Sequence, residues 1–319
     1  MLTVRRPAVN KIVRAEAGGT RLGAAAKLYL FALFACGPPL PEPHVCRLLA
    51  FRANQPTRVR AALVTADHSL LRQSCGDRRG ECHGDGWGVG HFLGLHPVVT
   101  RSVRPAATDP LYRSLAEELA ATTLLAHVRQ ASAGPVAERN CHPFRHGRWL
   151  FAHNGTLQGF AAAPERLFPL VPAHLRGLVA GETDSEHAFY FVLGLLEQAA
   201  GAADGAPDAG TVGRTLAEAV ARLAVLFPGS DAEPTRLNFV LTDGRVLAAS
   251  RWGHTLYRAE RRRAAGPDGD GPVQASPDYR AVIIASEPTS PEGPWAEVPD
   301  RTVLTVDEDL RCALAPIPA

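Results

Sequence analysis

A chain of 319 residues, 46% hydrophobic and 21% charged, has the composition of a globular protein large enough to bury a core, which excludes a disordered or collagen-like chain. The formal charge of +2 is unevenly spread: residues 1–45 carry six Lys or Arg against two Glu, and the remainder carries 28 Arg against 30 Asp or Glu. A nucleic-acid footprint needs a basic stripe, and this slightly acidic body offers only the three arginines at 261–263, so no nucleic-acid partner is expected.

Both lysines (Lys11, Lys27) and the single methionine (Met1) fall within residues 1–45, which read as foreign to the rest. Residues 28–36, LYLFALFAC, form an apolar stretch behind several basic residues, as a signal peptide would. Nine residues cannot span a bilayer, so no membrane partner is expected. Leu33 to Cys36 resembles a lipoprotein processing site, but Phe34 is too large for the usual pattern. Residues 37–45, GPPLPEPHV, contain four prolines and are expected to be extended and unpacked. The six cysteines (Cys36, Cys46, Cys75, Cys82, Cys141, Cys312) lie at irregular intervals, which predicts reduced thiols and a cytoplasmic setting.

From Cys46 onward the hydrophobic period alternates between that of a strand and that of a helix. Strands are predicted over 46–51, 87–93, 123–129, 148–153, 237–242, 246–251, 279–285 and 302–306. Asp243-Gly244 between two of them is the strongest hairpin signal in the chain and implies antiparallel pairing. Helices are predicted over 110–121, 184–200 and 212–227, with residues 201–210 as a loop. Thr183 followed by Glu186 is a capping box that starts the second helix at Asp184. That helix is apolar nearly all round and should be buried between layers. Antiparallel strands with a few buried helices predict an α+β protein with stacked sheets.

Four segments place polar residues at strand ends, where a rigid scaffold presents functional groups. They are CRLLAF from Cys46, LLAHVRQAS ending at Ser132, WLFAHNG ending at Gly155, and GETDSE from Gly181 to Glu186; DGWG (85–88) lies between the first two. In this order they resemble the class II glutamine amidotransferases, over most of residues 46–190, and the compact stand-alone members in particular. The resemblance implies the N-terminal nucleophile hydrolase fold, a four-layer α/β/β/α sandwich of two mainly antiparallel sheets. It also implies a domain over 46–319 preceded by an unstructured leader, 1–45.

By the same resemblance the nucleophile is Cys46, acting as the mature N-terminal residue. A thiol of pKa about 8.5 needs a base, and a free α-amine of pKa roughly 7.7 to 8.0 suits that task near neutrality, whereas an amide nitrogen does not. With Val45 attached, the protein is expected to be inactive. Two routes free the amine: a true start at Val45, read as methionine and then removed, or cleavage of a propeptide. Arg129 and Asp184 match the family's residues for the substrate α-carboxylate and α-amine. Asn154 and Gly155 match its oxyanion hole, through the Asn side-chain amide and the Gly backbone N–H. Ser132 stands where the family has a small hydroxyl near the carboxylate, and His142 in NCHPF matches a histidine framing the pocket. His127 and His153 read as structural, and DGWG as a tight backbone feature beside the nucleophile strand with Trp87 as packing.

Cys75, Cys82, His83, Cys141 and His142 lack the spacing of a structural zinc site, so neither metal nor cofactor is expected. From Arg236 on, RLNFVLTDGRVLAA, RWGHTLY and IIASEP look like the C-terminal strands of stand-alone members, among them the amidohydrolase of ergothioneine biosynthesis, which cleaves a γ-glutamyl amide. With no phosphate-binding loop in the chain, two outcomes remain: ammonia passes to a separate synthetase, or hydrolysis of a γ-glutamyl compound is the whole reaction. A non-catalytic glutamine-binding homologue is the rival from another class.

Overall fold

The computed structural model describes residues 46–76, 80, 82–201, 206–262, 271–274, 276–291 and 293–318. The leader, with its apolar stretch and its prolines, lies outside them. Thirteen described strands form two sheets, and every pairing within them is antiparallel.

The first sheet holds β1 (Arg47–Arg58), β2 (Trp87–Leu93), β3 (His96–Ser102), β4 (Ala120–Val128), β9 (Tyr257–Arg261), β10 (Ala281–Ala285) and β11 (Trp295–Glu297), in the order β11-β9-β10-β1-β4-β2-β3. The second holds β5 (Phe144–His146), β6 (Trp149–Thr156), β7 (Arg236–Thr242), β8 (Leu247–Arg251), β12 (Thr302–Val306) and β13 (Cys312–Pro316), in the order β13-β12-β8-β7-β6-β5. The helices are α1 (Leu70–Cys75), α2 (Pro110–Glu118), α3 (Ala173–Arg176), α4 (Asp184–Ala200) and α5 (Ala209–Leu226).

The period-2 alternation of strand side chains sorts these elements into layers. Along β1, Leu48 and Ala50 enter a core shared with Leu150 and Ala152 of β6 and Val240 of β7, which lies between the sheets. Leu49 and Phe51 point the other way, into a cluster with Leu70 of α1 and Tyr112 of α2. On the far side, Phe151 of β6 and Phe239 of β7 pack with Phe189 and Val192 of α4 and Leu216 and Val220 of α5. Three cores between four layers give α/β/β/α. All three are built from residues 48–317, with Leu48 the first strand contributor.

Helix α4 has the predicted bounds. Thr183 accepts the Glu186 N–H at 3.3 Å, but the Glu186 carboxylate does not close a reciprocal box: it accepts the N–H groups of Ala180 (3.2 Å) and Gly181 (2.5 Å) instead. The Asp243-Gly244 hairpin forms as expected, with Gly244 at φ 87° and Thr242 paired with Leu247. Helix α5 begins earlier than its apolar pattern suggests, at Ala209, because Asp208 caps it by accepting the Thr211 N–H at 2.7 Å.

Candidate active site

Cys46, Arg129, Ser132, His142, Gly155 and Asp184 line one cleft, together with Gln130, Ala133, His153, Thr183 and Ser185. The topology accounts for this. Arg47 pairs with Val128, so Cys46 and Arg129 follow at the adjacent ends of β1 and β4, the central strands of their sheet. Gly155 comes from β6 of the second sheet, and Thr183 to Ser185 from the start of α4.

The Cys46 thiol donates to the Gln130 carbonyl and accepts the Gln130 N–H, both at 3.3 Å. Burial pushes this thiol up from its ordinary value, and the Gln130 N–H, Arg129 and Arg47 only partly oppose it. Asp85 sets the turn that supplies the N–H: its carboxylate accepts from Ala131 N (2.8 Å), its own N–H donates to the Arg129 carbonyl (3.0 Å), and Arg129 N–H donates to Gly86 (2.8 Å). The DGWG segment is therefore a backbone template, as expected, but one strand removed from that of Cys46, since β4 lies between β1 and β2. Trp87 is fully buried, stacked edge-on against Tyr112 and donating to Asp109.

Arg129 is 3% exposed. Its guanidinium donates to the backbone carbonyls of Ala133 (2.8 Å), Gly134 (3.4 Å) and Pro135 (3.2 Å), and no described carboxylate pairs with it. A buried cation satisfied only by neutral dipoles is an open receptor for an anion. Asp184, equally buried, accepts Leu157 N–H (2.7 Å) and Ser185 N–H (2.8 Å) and likewise has no described cation as partner.

The histidines stay neutral. His153 must donate from Nε2 to the Arg236 carbonyl (2.9 Å), because a carbonyl only accepts. Burial lowers its pKa despite nearby Asp184, and its Nδ1 lies 2.9 Å from the Ser185 hydroxyl, which also contacts the Asp184 carboxylate at 3.2 Å. His142 faces the cleft, its Nδ1 3.2 Å from His127 Nε2. Its Nε2 has no partner among the described residues, and burial lowers its pKa well below the usual imidazole value.

These imidazoles make stability pH-dependent. Burial pushes His127 down to about 3, while in the unfolded chain it titrates near 6.5. Between those values the unfolded state binds a proton that the folded state refuses, so stability falls as pH drops below 6.5. From pH 7 to pH 5, where carboxylates remain ionised, His127 alone is expected to remove about 2 kcal/mol, and His142 and His153 act in the same direction. Urea unfolding at the two pH values measures this; equal midpoints would mean that the buried rings are already charged.

Gly155 has φ 152°, and a Cβ there would run into the Arg236 carbonyl oxygen, so only glycine leaves its backbone open to the cleft. Asn154 does not line the cleft: it is 1% exposed, its Nδ2 donates to Ser286 Oγ (3.0 Å), and its Oδ1 has no described partner. Ser132 sits on the exposed rim, 3.3 Å from the Thr156 hydroxyl. The motifs do not show what Gln130 and Asp85 contribute, because Gln130 acts through its backbone N–H and carbonyl and the Asp85 carboxylate binds the backbone of a residue 46 positions away. Among the described residues, no helix is long and apolar enough to cross a membrane, and no group of three or more His, Cys, Asp or Glu is placed to hold a metal.

Two antiparallel sheets between helices, with a cysteine at the start of a central strand, define the N-terminal nucleophile hydrolase architecture. Solved structures share it: a glutamine aminotransferase class-II domain protein from Silicibacter pomeroyi (TM-score 0.56, 22% identity, 86% of this chain and 100% of that one), and the glutamine phosphoribosylpyrophosphate amidotransferase of Bacillus subtilis (TM-score 0.55, 12% identity, 86% and 49%). The family model for class-II glutamine amidotransferases matches residues 45–313, and the chain belongs to that family. It is 30% identical to the Saccharomyces cerevisiae protein named as the probable glutamine amidotransferase DUG3, over 82% of each chain. It is also 30% identical to the γ-glutamyl-hercynylcysteine sulfoxide hydrolase of Mycobacterium tuberculosis, over 83% of this chain and 94% of that one.

Proposed function

We infer that the protein hydrolyses a γ-glutamyl amide through a thioester on Cys46, with the freed α-amine of Cys46 as base. The observation that carries this reading is Arg129, a buried guanidinium without a carboxylate partner, sharing one cleft with Cys46 and Asp184. Arg129 takes the substrate α-carboxylate and Asp184 its α-ammonium. The thiol attacks the γ-carbonyl and its proton passes to the α-amine. The Gly155 N–H meets the oxyanion, the Asn154 amide turns from behind the cleft wall to join it, and the proton then goes to the departing nitrogen as the C–N bond breaks. Water, deprotonated by the same amine, opens the thioester to give glutamate and the free thiol. Ser132 and the unpartnered Nε2 of His142 complete the wall of the cleft around the substrate.

The substrate is glutamine or a larger γ-glutamyl conjugate. The similarity to a mycobacterial hydrolase named for a γ-glutamyl conjugate supports the second, with hydrolysis as the whole reaction. Glutamine would instead require a separate synthetase to accept ammonia, in a cytoplasmic setting. Glutamate release from glutamine and from a panel of γ-glutamyl amides, assayed with the protein that begins at Cys46, separates the two; glutamate or glutamine binding without turnover would favour the non-catalytic reading.

Arg129→Lys is expected to raise KM at least about 30-fold, corresponding to the roughly 2 kcal/mol or more lost when one partner of a buried charge pair is altered. Lysine keeps the charge but loses the planar fork. An unchanged KM would remove Arg129 from carboxylate binding.

A further inference from the structure

Ser286 and Glu287 follow the last residue of β10, and both are buried outside the cleft wall. Ala285 pairs with Leu49, so the end of β10 lies beside the start of β1. Ser286 N–H donates to the Leu48 carbonyl (3.0 Å), and Leu48 N–H donates back to Ser286 Oγ (3.1 Å). The same oxygen is 3.0 Å from Asn154 Nδ2, across the space between the two sheets. Next in sequence, Glu287 Oε1 receives Arg47 Nε (3.1 Å) and Nη2 (2.9 Å), while Arg47 Nη1 donates to the Cys46 carbonyl (3.0 Å). One dipeptide, about 240 positions away in sequence, is thereby connected to both chemical halves of the site.

The unused Ser286 hydroxyl proton allows a second orientation of the Asn154 amide with the same number of hydrogen bonds. Ser286 Oγ already accepts the Leu48 N–H, so its own proton is free to donate. With the amide turned about its Cβ–Cγ bond, that proton satisfies Oδ1, now the buried atom without a described partner. Nδ2 then occupies the place Oδ1 has left and becomes a donor awaiting an acceptor. On the other side, Cys46 precedes the first residue of β1, so the Arg47 guanidinium holds the Cys46–Arg47 peptide plane, from which both the thiol and the α-amine of Cys46 hang.

We propose that Ser286 and Glu287 are positioning residues for amide hydrolysis: Glu287 aligns Cys46 through Arg47, and Ser286 sets the Asn154 amide to face the developing oxyanion. This rests on the assignment of Cys46 as nucleophile and Asn154 as oxyanion donor.

The test compares Ser286→Ala, Ser286→Thr and Glu287→Gln with the parent, each beginning at Cys46. Readouts are kcat and KM on a chromogenic γ-glutamyl anilide, and the rate at which a γ-glutamyl diazoketone labels Cys46, followed by intact mass. Ser286→Ala is expected to lower kcat at least 10-fold with KM within threefold, and Ser286→Thr, which keeps the hydroxyl, to recover most of the loss. Glu287→Gln is expected to slow labelling and turnover together, again by at least 10-fold. If Glu287→Gln does not fold, the two Ser286 variants, which keep the ion pair, decide. Folded variants with parental kcat, or a raised KM at unchanged kcat, overturn the proposal while leaving Cys46 as nucleophile. A parent that is neither labelled at Cys46 nor dependent on it for turnover overturns the nucleophile assignment and the proposal with it.

Discussion

Protein that begins at Cys46 is expected to hydrolyse its substrate about 10² to 10⁴ times faster than the same chain carrying Val45 in front, the range that a well-placed general base supplies. The enclosed setting of the thiol makes the dependence steep. Burial raises the Cys46 pKa, so the resting group is the thiol and its proton must be removed during attack. No described imidazole suits that role, since burial keeps His142, His127 and His153 from holding a proton near neutrality. An amide at residue 46 leaves no base in its place. Ammonia or glutamate release from the two forms, with intact mass establishing the first residue, measures the ratio. Residues 46–319 contain no lysine, so an amine-directed acyl reagent finds the Cys46 α-amine as the single aliphatic amine, and its acylation should abolish turnover. Equal rates for the two forms would exclude the amine as base.

Asn154→Ala is expected to lower kcat by about 10² to 10³, equivalent to roughly 2.7 to 4 kcal/mol of barrier, while the protein remains folded. Asn154 pairs with Asn238 within the β6–β7 ladder, whose backbone bonds do not involve the side chain. The variant loses one buried hydrogen bond, to Ser286, and Ser286 keeps its bond to Leu48, so the stability cost should be about 1 to 3 kcal/mol. Circular dichroism and the unfolding midpoint separate that cost from catalysis. Turnover near the parental rate would leave Asn154 as a strand and packing residue only.

The strands that could be read from the sequence all lie inside the sheets, where burial on both faces leaves a strong apolar signal. Strands β3, β5, β9, β11 and β13 went unread; all but β9 are sheet edges, and β9, although interior, has Ala259 as its single fully buried residue. An edge strand is tied on one side only and tends to be short or polar: β5 and β11 have three residues each, and β3 carries Pro97, which argues against a strand. Strand β1 extends seven residues past its predicted end at Phe51, through Pro56, because a register shift between Arg52 and Thr57 absorbs the interruption. Conversely, the helix predicted to run through Ala121 stops at Glu118, because Ala120 and Ala121 pair with Arg58 and Thr57. Local propensity yields there to a partner more than 60 positions away, which a window along the chain does not contain.

The site divides in the same way. Cys46, Arg129, Gly155 and Asp184 stand in short motifs whose order identifies them. Residues that hold these in place, such as Arg47, Asp85 and Ser286, lie in short motifs too, but the sequence does not show their roles because their partners are chosen by the fold.

The three carbonyls around Arg129 have a consequence for how a reaction cycle ends. A guanidinium braced by its own loop needs no rearrangement to receive a carboxylate, and the α-carboxylate of glutamate is the same group before and after the amide is cut. In the proposed role of Arg129 the product is gripped as the reactant was, so rising glutamate is expected to compete with fresh substrate and to limit turnover wherever it is abundant.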